Sequence, residues 1–225
     1  MHAIKTLALA TTLSVLAACS VSTEPPVEDG EFSFERSLEL AESGDMIEQY
    51  NIGQAYAEGV GVAMDRTKAA EWGAKAAKQG YASAQYNLAR AYKTGDGVEQ
   101  DFDEAMRLYR LAADQGDPSA LHNIGVMYSE GTGVDKDVAQ AVEWWTKAAE
   151  RGNPSSQYNL GQIYGRGMLG ETDYVAAYKW FSLVAENPQA VDQHEAARAY
   201  IAELEGMMTP EQIDEAKQAA SSLNE

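Results

Sequence analysis

The apolar positions of the chain recur at helical spacing, in blocks that repeat. Ile52 and Tyr56 lie four residues apart, as do Leu88 and Tyr92, Ile124 and Tyr128, and Leu160 and Tyr164. Residues four apart share one face of an α-helix. The spacing predicts a first helix, helix A, over residues 46–58 of the first block. A second run in each block carries Trp72, Leu108, Trp144 and Trp180 at corresponding places, expected to bury the middle of a helix B. The pairs Ala76-Ala77, Ala112-Ala113 and Ala148-Ala149 then leave room for the next helix A to approach.

Polar residues mark the ends of these helices. Asp117-Pro118 and Asn153-Pro154 place a capping side chain before a first-turn proline at the start of helix A. Gly59-Val60-Gly61-Val62, Gly95-Asp96-Gly97-Val98 and Gly131-Thr132-Gly133-Val134 supply positive φ for the end of helix A and a tight return. Asp101-Phe102-Asp103-Glu104 and Asp137-Val138-Ala139-Gln140 have capping-box spacing at the start of helix B. Gly44, Gly80, Gly116 and Gly152 end each helix B at intervals of 36 residues.

The same interval carries Asn51, Asn87, Asn123 and Asn159, and Asp65, Asp101, Asp137 and Asp173. A fixed period of this size means a solenoid of stacked units. The fold expected is all-α, an α-solenoid of helix–turn–helix repeats at 44–79, 80–115, 116–151 and 152–187. Solenoid ends need covering. Residues 31–43, with Phe34, Leu38 and Ala41 at helical spacing, predict an N-terminal capping helix. Residues 188–225 predict C-terminal capping helices, one over 188–204 and one over 210–222 behind Thr209-Pro210-Glu211-Gln212. The fourth loop, Gly167-Met168-Leu169-Gly170, shifts its second glycine by one residue, which leaves its conformation open.

The string Tyr86-Asn87-Leu88-Ala89-x-x-Tyr92-x-x-Gly95-x-Gly97-Val98-x-x-Asp101, followed by Ala105 and Ala112-Ala113, resembles the Sel-1-like repeat. That repeat is a cousin of the tetratricopeptide repeat with a longer glycine-rich A–B loop, and the resemblance covers roughly residues 44–185. It implies a concave groove lined by helix A that takes a protein or peptide. Carried over column by column, the groove would present Tyr50, Asn51 and Gln54, then Tyr86, Asn87 and Arg90, then His122, Asn123 and Val126, then Tyr158, Asn159 and Gln162. Amides and rings of this kind can pair with the backbone of an extended peptide and stack on its side chains. The alternative, equally open at this point, is that the asparagines bond to neighbouring helices and the tyrosines pack between repeats. Arg90 and Arg166 are candidates for an acidic ligand group. His122 interrupts the tyrosine column, either as a protonation-sensitive contact or, the preferred reading, as a tolerated aromatic substitute.

Residues 1–18 read as a signal peptide: Lys5 precedes an uncharged apolar run over 6–16, too short to span about 30 Å of hydrocarbon. Leu16-Ala17-Ala18-Cys19 resembles the lipobox of bacterial lipoproteins, which implies lipidation of Cys19. Two or more acyl chains hold a protein firmly at a membrane. Residues 19–30 would then be the lipidated N-terminus and a flexible linker rich in Pro, Ser, Thr and acid. The expected location is the bacterial cell envelope, facing the periplasm. Ser20, where many inner-membrane lipoproteins carry aspartate, favours the outer membrane by the same resemblance.

Charge and composition narrow the function. With 17 Lys+Arg against 35 Asp+Glu, the net charge of −18 argues against nucleic acid and against binding anionic lipid through the protein surface. One cysteine in 225 residues excludes an internal disulfide framework and a Cys-rich metal site. It also separates the chain from the cysteine-rich Sel-1-like proteins to which penicillin binding or β-lactamase activity is ascribed. Beyond His2 in the signal segment there are only His122 and His194, with no H-x-x-x-H spacing. No Gly-x-Ser-x-Gly elbow is present, and the Gly-x-Gly loops lack the Lys-Ser/Thr of a phosphate loop. No catalytic residue, cofactor or metal is therefore expected. The function expected is a monomeric, lipid-anchored, non-enzymatic adaptor for a protein or peptide of the cell envelope. The alternatives are a periplasmic regulator of a sensor kinase and, less favoured, an enzyme acting on cell-wall peptides.

Overall fold

The computed structural model describes residues 33–223, and Ser33 onward belongs to one compact unit. The signal segment, Cys19, the linker and the first two residues of the N-terminal capping segment lie outside the described residues. Among the described residues there are eleven α-helices and no strand: α1 (Phe34–Glu42), α2 (Met46–Glu58), α3 (Arg66–Lys78), α4 (Ala82–Thr94), α5 (Phe102–Asp114), α6 (Pro118–Glu130), α7 (Val138–Ala149), α8 (Pro154–Gly165), α9 (Tyr174–Glu186), α10 (Val191–Glu205) and α11 (Pro210–Ser221). The structure is the all-α repeat solenoid that the period predicts. Helices α2 and α3, α4 and α5, α6 and α7, and α8 and α9 pair as helices A and B, and each helix B packs on the next helix A. Helix α1 covers α2. None of the described helices is long and apolar enough to cross a membrane.

The aspartate column explains why each pair closes. The backbone N–H groups of Asp65, Asp101, Asp137 and Asp173 donate to the carbonyls of Tyr56, Tyr92, Tyr128 and Tyr164 at 2.8–3.0 Å. The same aspartates accept, through their side chains, from the N–H groups of Lys68, Glu104, Gln140 and Ala176. One residue thus fastens the loop to helix A and caps helix B, a cap contributing about 1 kcal/mol.

The second loop glycine is demanded by crowding. A Cβ on Gly97 would lie 2.1 Å from the Arg66 carbonyl oxygen, and one on Gly133 would lie 2.3 Å from Phe102 Cβ. Gly170 in the fourth loop meets nothing within 4 Å. That loop keeps its length but bends differently: α8 stops at Gly165, Arg166 remains right-handed, and Gly167 and Gly170 take φ of 62° and 131°.

Between repeats the surfaces are made of small residues. Ala76, Ala112 and Ala148 on helices B, and Ala84, Ala120 and Ser156 on helices A, have no exposed area. Gln49, Gln85 and Gln157 donate at 3.1–3.2 Å to the carbonyls of Ala41, Ala77 and Ala149 near the ends of the preceding helices. They satisfy acceptors that a helix C-terminus leaves open. The tryptophan column departs from expectation. Leu108 and Trp180 are buried, but Trp72 and Trp144 are half-buried under the ammonium groups of Lys75 and Lys147. In α7 the interior place belongs to Trp145, 5% exposed, whose indole N–H donates to the His122 carbonyl.

At the C-terminal end, α10 starts at Val191 rather than at 188. Pro188 holds Asn187 extended at ψ 115°, which ends α9. Residues 187–190 then close a single turn, the Ala190 N–H donating to the Asn187 carbonyl at 2.9 Å, before α10 begins. Helix α11 opens with the Thr209/Gln212 capping box. The period of 36 runs on here: Gln193, Tyr200 and Thr209 follow Gln157, Tyr164 and Asp173 at that interval. Glu203 stands where earlier copies have the helix-ending glycine, so α10 continues to Glu205. Helices α10 and α11 both pack against α9.

Candidate functional site

The helix A residues named from the sequence divide by environment. Asn51 donates to Glu48 within its own helix at 3.3 Å, and Asn123 donates to the Ser119 carbonyl at 2.9 Å. Asn87 instead reaches across from α4 to α2, where its amide donates to the Tyr50 hydroxyl at 3.2 Å and to Gln54 Oε1 at 3.4 Å. Tyr50, Gln54, Asn87 and the exposed Arg90 thereby converge on one open cleft of about 60 Å³, which also includes Arg66, Gly53, Gly73 and Leu88 in its walls. Asn159 is half-buried on α8. Gln162 lines a second, wider cleft of about 330 Å³ between α8 and α10, with Arg166, Phe181 and Tyr200.

The aromatic column of helix A is a packing column in three repeats. Tyr86 lies 5.9 Å from Tyr109, His122 lies 6.4 Å from Trp145 with the rings stacked, and Tyr158 meets Phe181 edge-on at 5.6 Å. Each pair joins a helix A to the helix B of the same repeat. Helix A makes room for the partner ring with a small residue. A Cβ on Gly125 would lie 2.6 Å from Trp145, and one on Gly161 would lie 2.8 Å from Phe181. Tyr109 has no exposed area, and its hydroxyl is buried without a partner.

Electrostatics separate the two arginine candidates and remove the histidine as a switch. Arg166 donates to the Tyr200 hydroxyl at 3.2 Å. Arg90 makes no ion pair among the described residues, whereas Arg66 sits 3.5 Å from Asp96. His122 Nδ1 is 2.8 Å from the Ser156 hydroxyl. Burial, reinforced by the nearby Lys93, pushes its pKa down to about 4. The imidazole is therefore neutral throughout the physiological range and fills the place of a tyrosine ring.

Two features were missed in the sequence. The rings that matter most to the helix A face, Tyr109, Trp145 and Phe181, stand one residue after the tryptophan column. Their signal was the matching glycine or alanine twenty residues earlier, at Ala89, Gly125 and Gly161. The glutamine column, Gln49, Gln85 and Gln157, was legible as a 36-residue repeat but named no role by itself.

Four consecutive segments, residues 49–81, 82–117, 118–153 and 154–188, match the model of the Sel1 repeat. Among solved structures the chain is similar to a Sel1 repeat protein from Oxalobacter formigenes, with 33% identity and a TM-score of 0.65 over 68% of this chain and 63% of that one. It thus spans less than two thirds of that protein's length. A Sel1 repeat protein from Klebsiella pneumoniae subsp. pneumoniae is similar in fold, with 21% identity and a TM-score of 0.51 over 86% of this chain and all of that one. A protective antigen of uropathogenic Escherichia coli aligns at 28% identity and a TM-score of 0.48, over 84% of this chain and 48% of that one. Among curated proteins, none matches the chain.

Proposed function

This chain belongs to the Sel1 repeat family, and from that premise we propose that it is a non-catalytic adaptor that holds a peptide segment of a partner protein against its helix A face. Sel1 repeats generally mediate protein–protein interaction, and the family is typically non-enzymatic. The observation that carries the reading is the gathering of Tyr50, Gln54, Asn87 and Arg90 from two successive helices A at one open cleft. A lone helix surface would scatter such groups, whereas the stacking of repeats brings amide, phenol and guanidinium within reach of one peptide. Gln162, in the same column as Gln54, lines the second cleft nearer the C-terminal end.

In this proposal the partner is a protein of the bacterial envelope, and the adaptor is held there through lipid on Cys19, facing the periplasm at the outer membrane. The support is the lipobox-like Leu16-Ala17-Ala18-Cys19 and the acid- and proline-bearing linker after it. The large negative charge disfavours binding of anionic lipid through the protein surface, which is consistent with attachment through the lipid.

Two experiments test this. A photo-crosslinking residue at Gln54 in cells is expected to capture a partner, and the double variant Asn87→Ala, Arg90→Ala is expected to abolish that capture. Unchanged capture would remove the helix A face from the interaction. Metabolic labelling with an azide-bearing fatty acid is expected to mark the wild type and not Cys19→Ala. An unlabelled wild type would end the lipoprotein reading.

A further inference from the structure

The ring pairs of the second, third and fourth repeats have no counterpart in the first. Tyr109, Trp145 and Phe181 stand at intervals of 36, and the residue 36 before Tyr109 is Gly73. Helix α2 nevertheless keeps the accommodating glycine, Gly53, in the column where Gly125 and Gly161 lie under rings. A Cβ on Gly53 would lie 3.2 Å from the Ala69 carbonyl oxygen and 3.3 Å from the Gly73 N, so here the α3 backbone itself crowds the position, while one on Gly73 would meet nothing within 4 Å. Tyr50, whose equivalents all pair with the missing ring, packs instead edge-on against Tyr81 at 5.0 Å. The place that three repeats fill with their own aromatic side chain is open to solvent in the first.

That place is the cleft already described, and its chemistry is specific. The walls include the apolar Ala57, Ala69, Ala70 and Leu88, Tyr50 on one side, and the Arg66–Asp96 ion pair, in which the second guanidinium is already matched. Its volume is about 60 Å³, less than half of the roughly 150 Å³ that encloses a benzene, so a ring seated in this open cleft lies partly outside it. Arg90 stands in its wall with no ion pair among the described residues, in a chain of net charge −18.

We infer that the first repeat carries a seat for one aromatic side chain of the bound peptide, with Arg90 receiving a carboxylate next to that side chain. The seat rests on the reading of the helix A face as a peptide-binding surface, and it names what anchors the peptide there. The ring completes the Tyr50 pair that the other repeats complete internally. Burying it contributes the aromatic contact that those repeats use for folding, and the guanidinium adds preference for an acidic neighbour.

N-acetylphenylalanine presents the ring and carboxylate together, and N-acetylphenylalaninamide presents the ring alone. Titrated into the full chain and followed by amide NMR, the acid is expected to shift Gly53, Gly73, Leu88 and Ala91. The amide is expected to bind about two- to fivefold more weakly, as for a partly exposed charge pair. Arg90→Ala should erase that difference, and N-acetylleucine should bind more weakly than either. Gly73→Phe supplies the ring from within, so it should weaken the acid at least tenfold while leaving the melting temperature equal or higher. Gly73→Ala, which leaves the seat open, should bind as the wild type does. Shifts that survive Gly73→Phe, or no shifts in a folded wild type, overturn the seat. If crosslinking from Gln54 persists without such shifts, the adaptor reading stands and the seat is rejected. If the shifts appear without crosslinking, the seat stands and the adaptor reading fails.

Discussion

His122 gives the solenoid an acid-sensitive joint whose size follows from its surroundings. The imidazole accepts from or donates to Ser156 at 2.8 Å, lies on Trp145, and is kept neutral chiefly by burial and secondly by Lys93. Its pKa falls from the ordinary imidazole value of 6.5 to about 4. Because the folded value is the lower one, the unfolded chain takes up the proton first as pH drops. The contribution to stability is therefore complete above pH 6.5 and is lost between 6.5 and about 4. At about 1.36 kcal/mol per pH unit, that window amounts to about 3 kcal/mol. His122→Phe keeps a ring on Trp145 and removes the titration, at a pH-independent cost of about 1 kcal/mol for the bond to Ser156. Urea unfolding of both proteins between pH 7 and pH 4 isolates the effect, since the carboxylates are common to both. The wild type should lose about 3 kcal/mol more than the variant over that range. Parallel losses, or an imidazole NMR titration with a midpoint near 6.5, would refute the argument.

Four further substitutions probe the packing. Gly97→Ala should destabilise by about 2–4 kcal/mol, combining the left-handed backbone with a Cβ driven into the Arg66 carbonyl. Gly170→Ala, with only the backbone strain, should cost about 1–2 kcal/mol, and thermal unfolding of the two compares them. Asp101→Ala removes the cap that accepts from Glu104 and should cost about 1 kcal/mol, read from urea unfolding. Gly125→Ala should displace the Trp145 ring, seen as a changed near-ultraviolet dichroism, and cost about 1–3 kcal/mol.

The repeat was legible in the sequence because its helix signals are local. Asp before helix B, glycine after helix A and apolar residues four apart each act within about one helical turn. Helix α2 accordingly runs over Met46–Glu58, the span that the spacing predicts. Helix α10 starts at Val191 and not at 188, because residues 187–190 first close a separate single turn. The site was less legible. The asparagine column looks uniform in the sequence, yet Asn51 and Asn123 bond within their own helices and only Asn87 crosses to the neighbour. Which behaviour each copy shows depends on the side chains opposite it, and those do not follow the period.

Local chemistry and periodicity thus determined the helices, their pairing and the stacking order, because a 36-residue unit that cannot bury its own apolar face has to meet the next one. Only the tertiary structure decided which member of a column lies inside. It put Trp145 in the core and left Trp144 half-buried under Lys147, a choice between adjacent residues that a rotation of the helix settles. It also gave meaning to Gly73. In the chain it is one more glycine within a helix; in the fold it stands where the later repeats carry a ring, and it borders the open cleft of the first.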